Sequence, residues 1–253
     1  VLGRTLRNEG RATLSSRLHY DYWSTGTLEN AAGGTFTFVD DAFIDAEGEW
    51  RGHSFRNSGT VAKTGPGTTS TISGVGFYSG GTIDVQGGSL AAAYGGGLSG
   101  TTTVSQGSLL LTGGTFWIAD GAVMTGPGSV NVAGGTLSVG STTRATFSNL
   151  VFSGGTLTGD GDLTIGGLVT WTGGTMTGGG RTVIGGDGTL VIGGDALKVL
   201  GRTLRNEGRA TLSSRLYYDY WSTGTMENAA GGTFTFVDDA FIDTDSAWRG
   251  HSF

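Results

Sequence analysis

The feature that most constrains this chain is a match to itself. Residues 1–55 return as residues 199–253, an offset of 198, and 49 of the 55 positions are identical. The six differences are His19/Tyr217, Leu28/Met226, Ala46/Thr244, Glu47/Asp245, Gly48/Ser246 and Glu49/Ala247. Self-similarity at a fixed period means a fold built by stacking like units along one axis. The chain therefore reads as one full unit, residues 1–198, followed by the start of the next, residues 199–253. It is expected to be a window on a longer tandem array.

Within that unit the periodicity is that of strands. Gly-Gly-Thr recurs with its Thr at 35, 82, 115, 136, 156, 175 and 233, and the run from 115 to 175 steps by 21, 20 and 19 residues. Apolar residues follow at i and i+2, as in Val130/Val132, Leu137/Val139, Leu150/Phe152, Leu163/Ile165 and Leu190/Ile192. No stretch sustains a 3.6-residue stripe behind a helix cap. Strands this short bury little alone, whereas stacked coils bury a continuous apolar column. The expected fold is thus all-β: a parallel β-helix, or β-solenoid, of about 20 residues per coil and about 12 coils, using the step between the Gly-Gly-Thr starts. Handedness is not readable from the residues, and the crossover rule favours a right-handed coil. At the interstrand spacing one unit of about ten coils advances roughly 48 Å. Glycine serves the corners, and Thr and Val suit the flat faces. The Thr-Gly-Pro-Gly segments at residues 64–67 and 125–128 repeat one corner chemistry.

Composition excludes several functions. There are 51 glycines but only two prolines, which rules out collagen. A net charge of −6 opposes nucleic acid and anionic lipid as partners. No apolar run is long enough for a membrane span. With no cysteine, disulfides and thiolate-held metals are out. Only 14% of residues are charged, so the surface is largely Ser, Thr, Gly and Asn, which suits sugars or no partner at all. Together these features fit a bacterial protein that is extracellular or on the cell surface.

Three stretches, Phe55-Arg56-Asn57-Ser58-Gly59-Thr60-Val61, Gly154-Gly155-Thr156-Leu157 and Gly161-Asp162-Leu163-Thr164-Ile165, resemble coils of large bacterial surface proteins. These are autotransporter passengers and filamentous-haemagglutinin-like adhesins. The resemblance runs through nearly the whole chain. It implies secretion, an extended rod, attachment to surfaces and no cofactor.

Residues 1–55 hold the candidate chemistry. Alternation across residues 18–23 puts Leu18, Tyr20 and Tyr22 on an inward face and His19, Asp21 and Trp23 outward. Phe36 and Phe38 should point inward, with a turn at Asp40-Asp41. Leu28 to Met226 preserves volume, as a buried site requires. Four of the six differences cluster at 46–49, which marks an exposed loop. Arg17, His19, Asp21 and Trp23, with Trp50, Arg51 and His53, form the expected outward patch for a glycan or protein partner. Asp40, Asp41 and Asp45 are the candidate ligands for a loosely held calcium ion. Asp160-Gly161-Asp162 and Gly185-Gly186-Asp187-Gly188-Thr189-Leu190 read as corners, since one copy cannot build a calcium ladder. Asp40-Asp41 with His53 bears a loose likeness to the acid/base groups of β-helical polysaccharide-degrading enzymes, but no third carboxylate motif follows. The expected function is therefore a non-enzymatic structural or adhesive rod, with neighbouring repeats as end-to-end partners. A carbohydrate-binding module and a polysaccharide-degrading enzyme are the alternatives.

Overall fold

The computed structural model describes residues 1–46, 52–244 and 250–253. The described residues are all-β, with no helix. Each strand pairs in parallel with the strand one coil further on, which makes a β-solenoid of about 11 turns at roughly 22 residues per turn. The coil has three faces. Thr5–Asn8, Thr27–Asn30, Ser54–Asn57 and Gly76–Ser79 begin the first. Arg11–Leu14, Thr35–Val39 and Thr60–Thr64 begin the second, and Arg17–Tyr20, Phe43–Ala46 and Thr69–Ile72 the third.

The coil is larger, and the coils slightly fewer, than the sequence spacing suggested. That spacing sampled the regular middle, where Thr115, Thr136, Thr156 and Thr175 indeed form one ladder on the first face. The aromatic-rich coils are wider: Thr27 pairs with Ser54 and Arg17 with Phe43.

Side chains at i and i+2 of each strand point into the lumen. Val130, Val132, Leu137, Val139, Leu150, Phe152, Leu163, Ile165, Leu190 and Ile192 are all buried, as are Phe36 and Phe38. Each such side chain contributes roughly 1.5–3 kcal/mol by leaving water, and together they form one unbroken column. Leu28 and Met226 are both buried in it. A polar ladder runs beside the column at one corner. Asn8 Nδ2 donates to Asn30 Oδ1 at 2.7 Å, Asn30 Nδ2 to Asn57 Oδ1 at 2.8 Å, and Asn57 Nδ2 to Ser79 Oγ at 2.9 Å. Each amide also donates to a strand carbonyl, of Thr35, Thr60 and Thr82 respectively. The buried amides are thereby satisfied, which is the condition for keeping polar groups inside.

The two copies of the repeated sequence fold alike but stand on different faces. Thr5 pairs with Thr27 as Thr203 does with Thr225, Arg11 with Thr35 as Arg209 with Thr233, and Arg17 with Phe43 as Arg215 with Phe241. Yet residues 5–8 lie on the first face and residues 203–206 on the second. The strand Lys198–Asn206 turns a corner: its first part continues the first face before the copy of Thr5–Asn8 begins. An advance of 198 residues therefore covers nine full turns and one face. The unit is not a whole number of coils, and its rise is about 45 Å at the interstrand spacing, slightly below the expected value.

Arg202 fills that corner. Its side chain is buried and donates to the carbonyls of Gly180 (2.9 Å), Gly161 (3.0 Å) and Thr177 (3.4 Å). Burial draws the guanidinium down to about 10, against the opposing pull of Asp162 and Asp160.

Candidate functional site

The structure divides the expected outward patch into separate parts. Arg17 and His19 do stand together on the third face, on either side of Asp45. Arg17 Nε donates to Asp45 Oδ1 at 2.9 Å, and His19 Nδ1 lies 3.1 Å from the same oxygen. Burial alone would push the Asp45 carboxyl up, but hydrogen bonds from Arg17 and His19 prevail and hold it below its ordinary value. In the second copy Tyr217 replaces His19, and the Arg215 guanidinium sits 3.9 Å from its ring centroid. The arginine–aspartate pair is kept in both copies, while its neighbour changes role: His19 bonds the aspartate, and Tyr217 stacks on the arginine.

Tyr22 corrects the expected alternation. The strand ends at Tyr20, which is buried, and Tyr22 turns outward to meet Trp23 edge-on at 4.7 Å. The backbone reverses here because Asp21 accepts a hydrogen bond from Ser24 Oγ at 2.6 Å. Trp23 is 77% exposed, and its copy Trp221 is 76% exposed beside Tyr220. His53 also departs from expectation. It is buried, its Nδ1 accepts the Gly26 N–H at 3.1 Å, and its ring packs on Tyr20 at 5.1 Å. An inward histidine that closes a corner cannot belong to an outer patch. Trp50 and Arg51 lie outside the described residues.

The three aspartates proposed for calcium serve three different partners. Asp45 is taken by Arg17 and His19. Asp41 accepts the Thr69 N–H at 2.8 Å, and Asp40 makes the turn itself with φ of 53°. The Asp40 and Asp41 charges act on the buried Lys63 ammonium, which burial lowers and they raise. Among the described residues no group of three potential ligands converges on a metal. Asp40-Asp41 sits at the corner between the second and third faces and His53 at the corner between the third and first, so the structure does not join them as an acid/base set. Asp160 and Asp162 are corner groups too. They accept the N–H groups of Gly179 and Arg181 one coil on.

One concave surface among the described residues was not foreseen from the sequence. A groove of about 690 Å³ crosses the first face and its corner, reaching over six successive coils from Glu29 to Thr143. Its long outward side chains are Arg56, Tyr78 and Trp117, and between the last two rungs stands Gly97. Tyr78 is 47% and Trp117 61% exposed, on a rod whose other outward positions are mostly Thr, Ser and Gly. Arg56 lies 5.7 Å from the Tyr78 ring centroid. Ser58, Ser99, Thr142 and Thr143 supply hydroxyls along the corner. Glu29 at one end is held by Arg7 at 2.5 Å, and Asp120 at the other accepts the Arg144 N–H at 3.1 Å. One signal was present in the sequence: 78, 97 and 117 are one coil apart, and Tyr78 and Trp117 each follow an inward phenylalanine.

The architecture defines the class: a parallel β-solenoid with an aromatic groove on one face. No protein family, no curated protein and no solved structure matches the chain.

Proposed function

We propose that the chain is a stiff, non-enzymatic segment of a long bacterial surface fibre, built of tandem 198-residue units and exposed outside the cell. One observation carries this reading. The second copy stacks on the coils of the first unit in an unbroken ladder, with Arg202 sealing the corner.

The role is mechanical. Ladder hydrogen bonds along the axis and a dry apolar column resist bending, so the rod holds adhesive surfaces away from the cell. The resemblance to autotransporter passengers and filamentous-haemagglutinin-like adhesins supports the same reading. Immunogold labelling of intact producing cells with antibody against this chain tests it. Label on the exterior is expected. Label that appears only after lysis would overturn the surface role.

A further inference from the structure

We propose that the groove on the first face is a carbohydrate-binding site for an oligosaccharide lying along the rod axis. The proposal names a ligand and a site for the adhesive role, and so rests on that reading for its biological setting; its test does not.

The strand Gly95–Leu98 in the middle of the groove is three glycines and a leucine. Glycine in a strand interior weakens it and often marks close approach by a ligand or another backbone. Gly95 and Gly96 are required by the backbone: their φ values are 96° and 151°, and a Cβ on Gly96 would stand 1.7 Å from the Phe77 carbonyl oxygen. Gly97 is different. A Cβ there would meet only Tyr78 Cδ1 at 3.5 Å and the Trp117 carbonyl oxygen at 3.9 Å, ordinary contacts. The backbone tolerates a side chain at 97, yet none is present. The result is a bare floor between two exposed aromatic residues, roughly 10 Å apart along the axis at two interstrand steps.

Those surroundings fit a sugar better than a lipid or a protein. The apolar C–H face of a pyranose matches the negative face of an aromatic ring. Its hydroxyls need polar partners wherever they leave water, and Ser58, Ser99 and Thr142 line the corner within the same groove. Arg56 has no carboxylate partner among the described residues, unlike Arg7, which pairs with Glu29. Its guanidinium is therefore available to a ligand hydroxyl or uronate at the Tyr78 end. The groove is open and shallow, so single contacts are weak, and one groove per unit would let them sum along a fibre.

The test uses the 253-residue chain and an array of neutral and uronate-containing α- and β-linked hexasaccharides, with bound sugars then titrated by tryptophan fluorescence and calorimetry. At least one hexasaccharide should bind, and Trp117→Ala and Gly97→Thr should each weaken it tenfold or more. Trp23→Ala should leave it unchanged. Positions 97 and 117 face outward, and an unchanged thermal midpoint confirms folding. If no hexasaccharide binds, or if binding survives both groove variants, the proposal fails while the rod reading stands. Loss of binding on Trp23→Ala alone would also refute it, by placing the sugar at the Tyr22–Trp23 corner.

Discussion

At the residue scale, two side chains make sharp tests. Asp45 is held below its ordinary value by Arg17 and His19 despite burial. A carboxyl lowered in the folded state adds stability that is present above its unfolded pKa and lost as pH falls through the folded one. Acidification from pH 5 towards pH 2 should therefore loosen the Arg17–Tyr20 and Phe43–Ala46 pair, and Asp45→Asn should flatten that dependence, as followed by hydrogen exchange against pH. Asn30 sits in mid-ladder between Asn8 and Asn57. Asn30→Ala leaves both neighbours half-satisfied, so denaturant melts should show a loss of about 1–3 kcal/mol. Much at this scale was legible in the sequence. Leu28/Met226, Phe36 and Phe38 are buried where volume and alternation placed them. Tyr22 was misplaced because alternation holds only while the strand continues, and the Asp21–Ser24 turn ends it; His53 lies in another corner, just before the strand Ser54–Asn57, where it turns inward to accept from Gly26. The asparagine ladder was hidden because its partners are 22 to 27 residues apart, a spacing that has meaning only once coil lengths are known.

At the element scale the decisive features are glycines and the corner arginine. Gly96→Ala should break the Gly95–Leu98 rung, because its Cβ collides with the Phe77 carbonyl; Gly97→Ala, with ordinary contacts, should shift stability by no more than about 0.5 kcal/mol. Thermal melts of the two variants check this contrast. Arg202→Ala removes the guanidinium donor from two buried carbonyls, of Gly180 and Gly161, and about 2 kcal/mol should be lost. The loss should appear in hydrogen exchange as selective opening of residues 199–253. The strands themselves were readable from apolar residues at i and i+2. Coil size was less so, since the Gly-Gly-Thr start in the wide coils, Thr35, has its next at Thr82, two coils on, and no single-coil step measures them. The groove escaped notice because exposure of Tyr78 and Trp117 depends on Gly97 in the coil between them, which no local window contains.

At the scale of the whole molecule, the account rests on continuity from unit to unit. The offset of 198 is legible in the sequence, but not that it amounts to nine turns and one face; both copies open on the same pairing, Leu2 with Tyr20 and Leu200 with Tyr218, so the remainder belongs to the unit as a whole. Equivalent surfaces should then turn by about a third of a revolution per unit, before the ladder's own twist is added, so that Trp23-type corners and grooves face three directions in succession. Electron cryo-microscopy of a protein carrying at least four consecutive units tests this most directly. The account predicts a thin continuous rod with a layer line near 4.8 Å, and units rising about 45 Å each with a third-turn rotation between neighbours. Separate beads, or units that repeat without rotation, would contradict it.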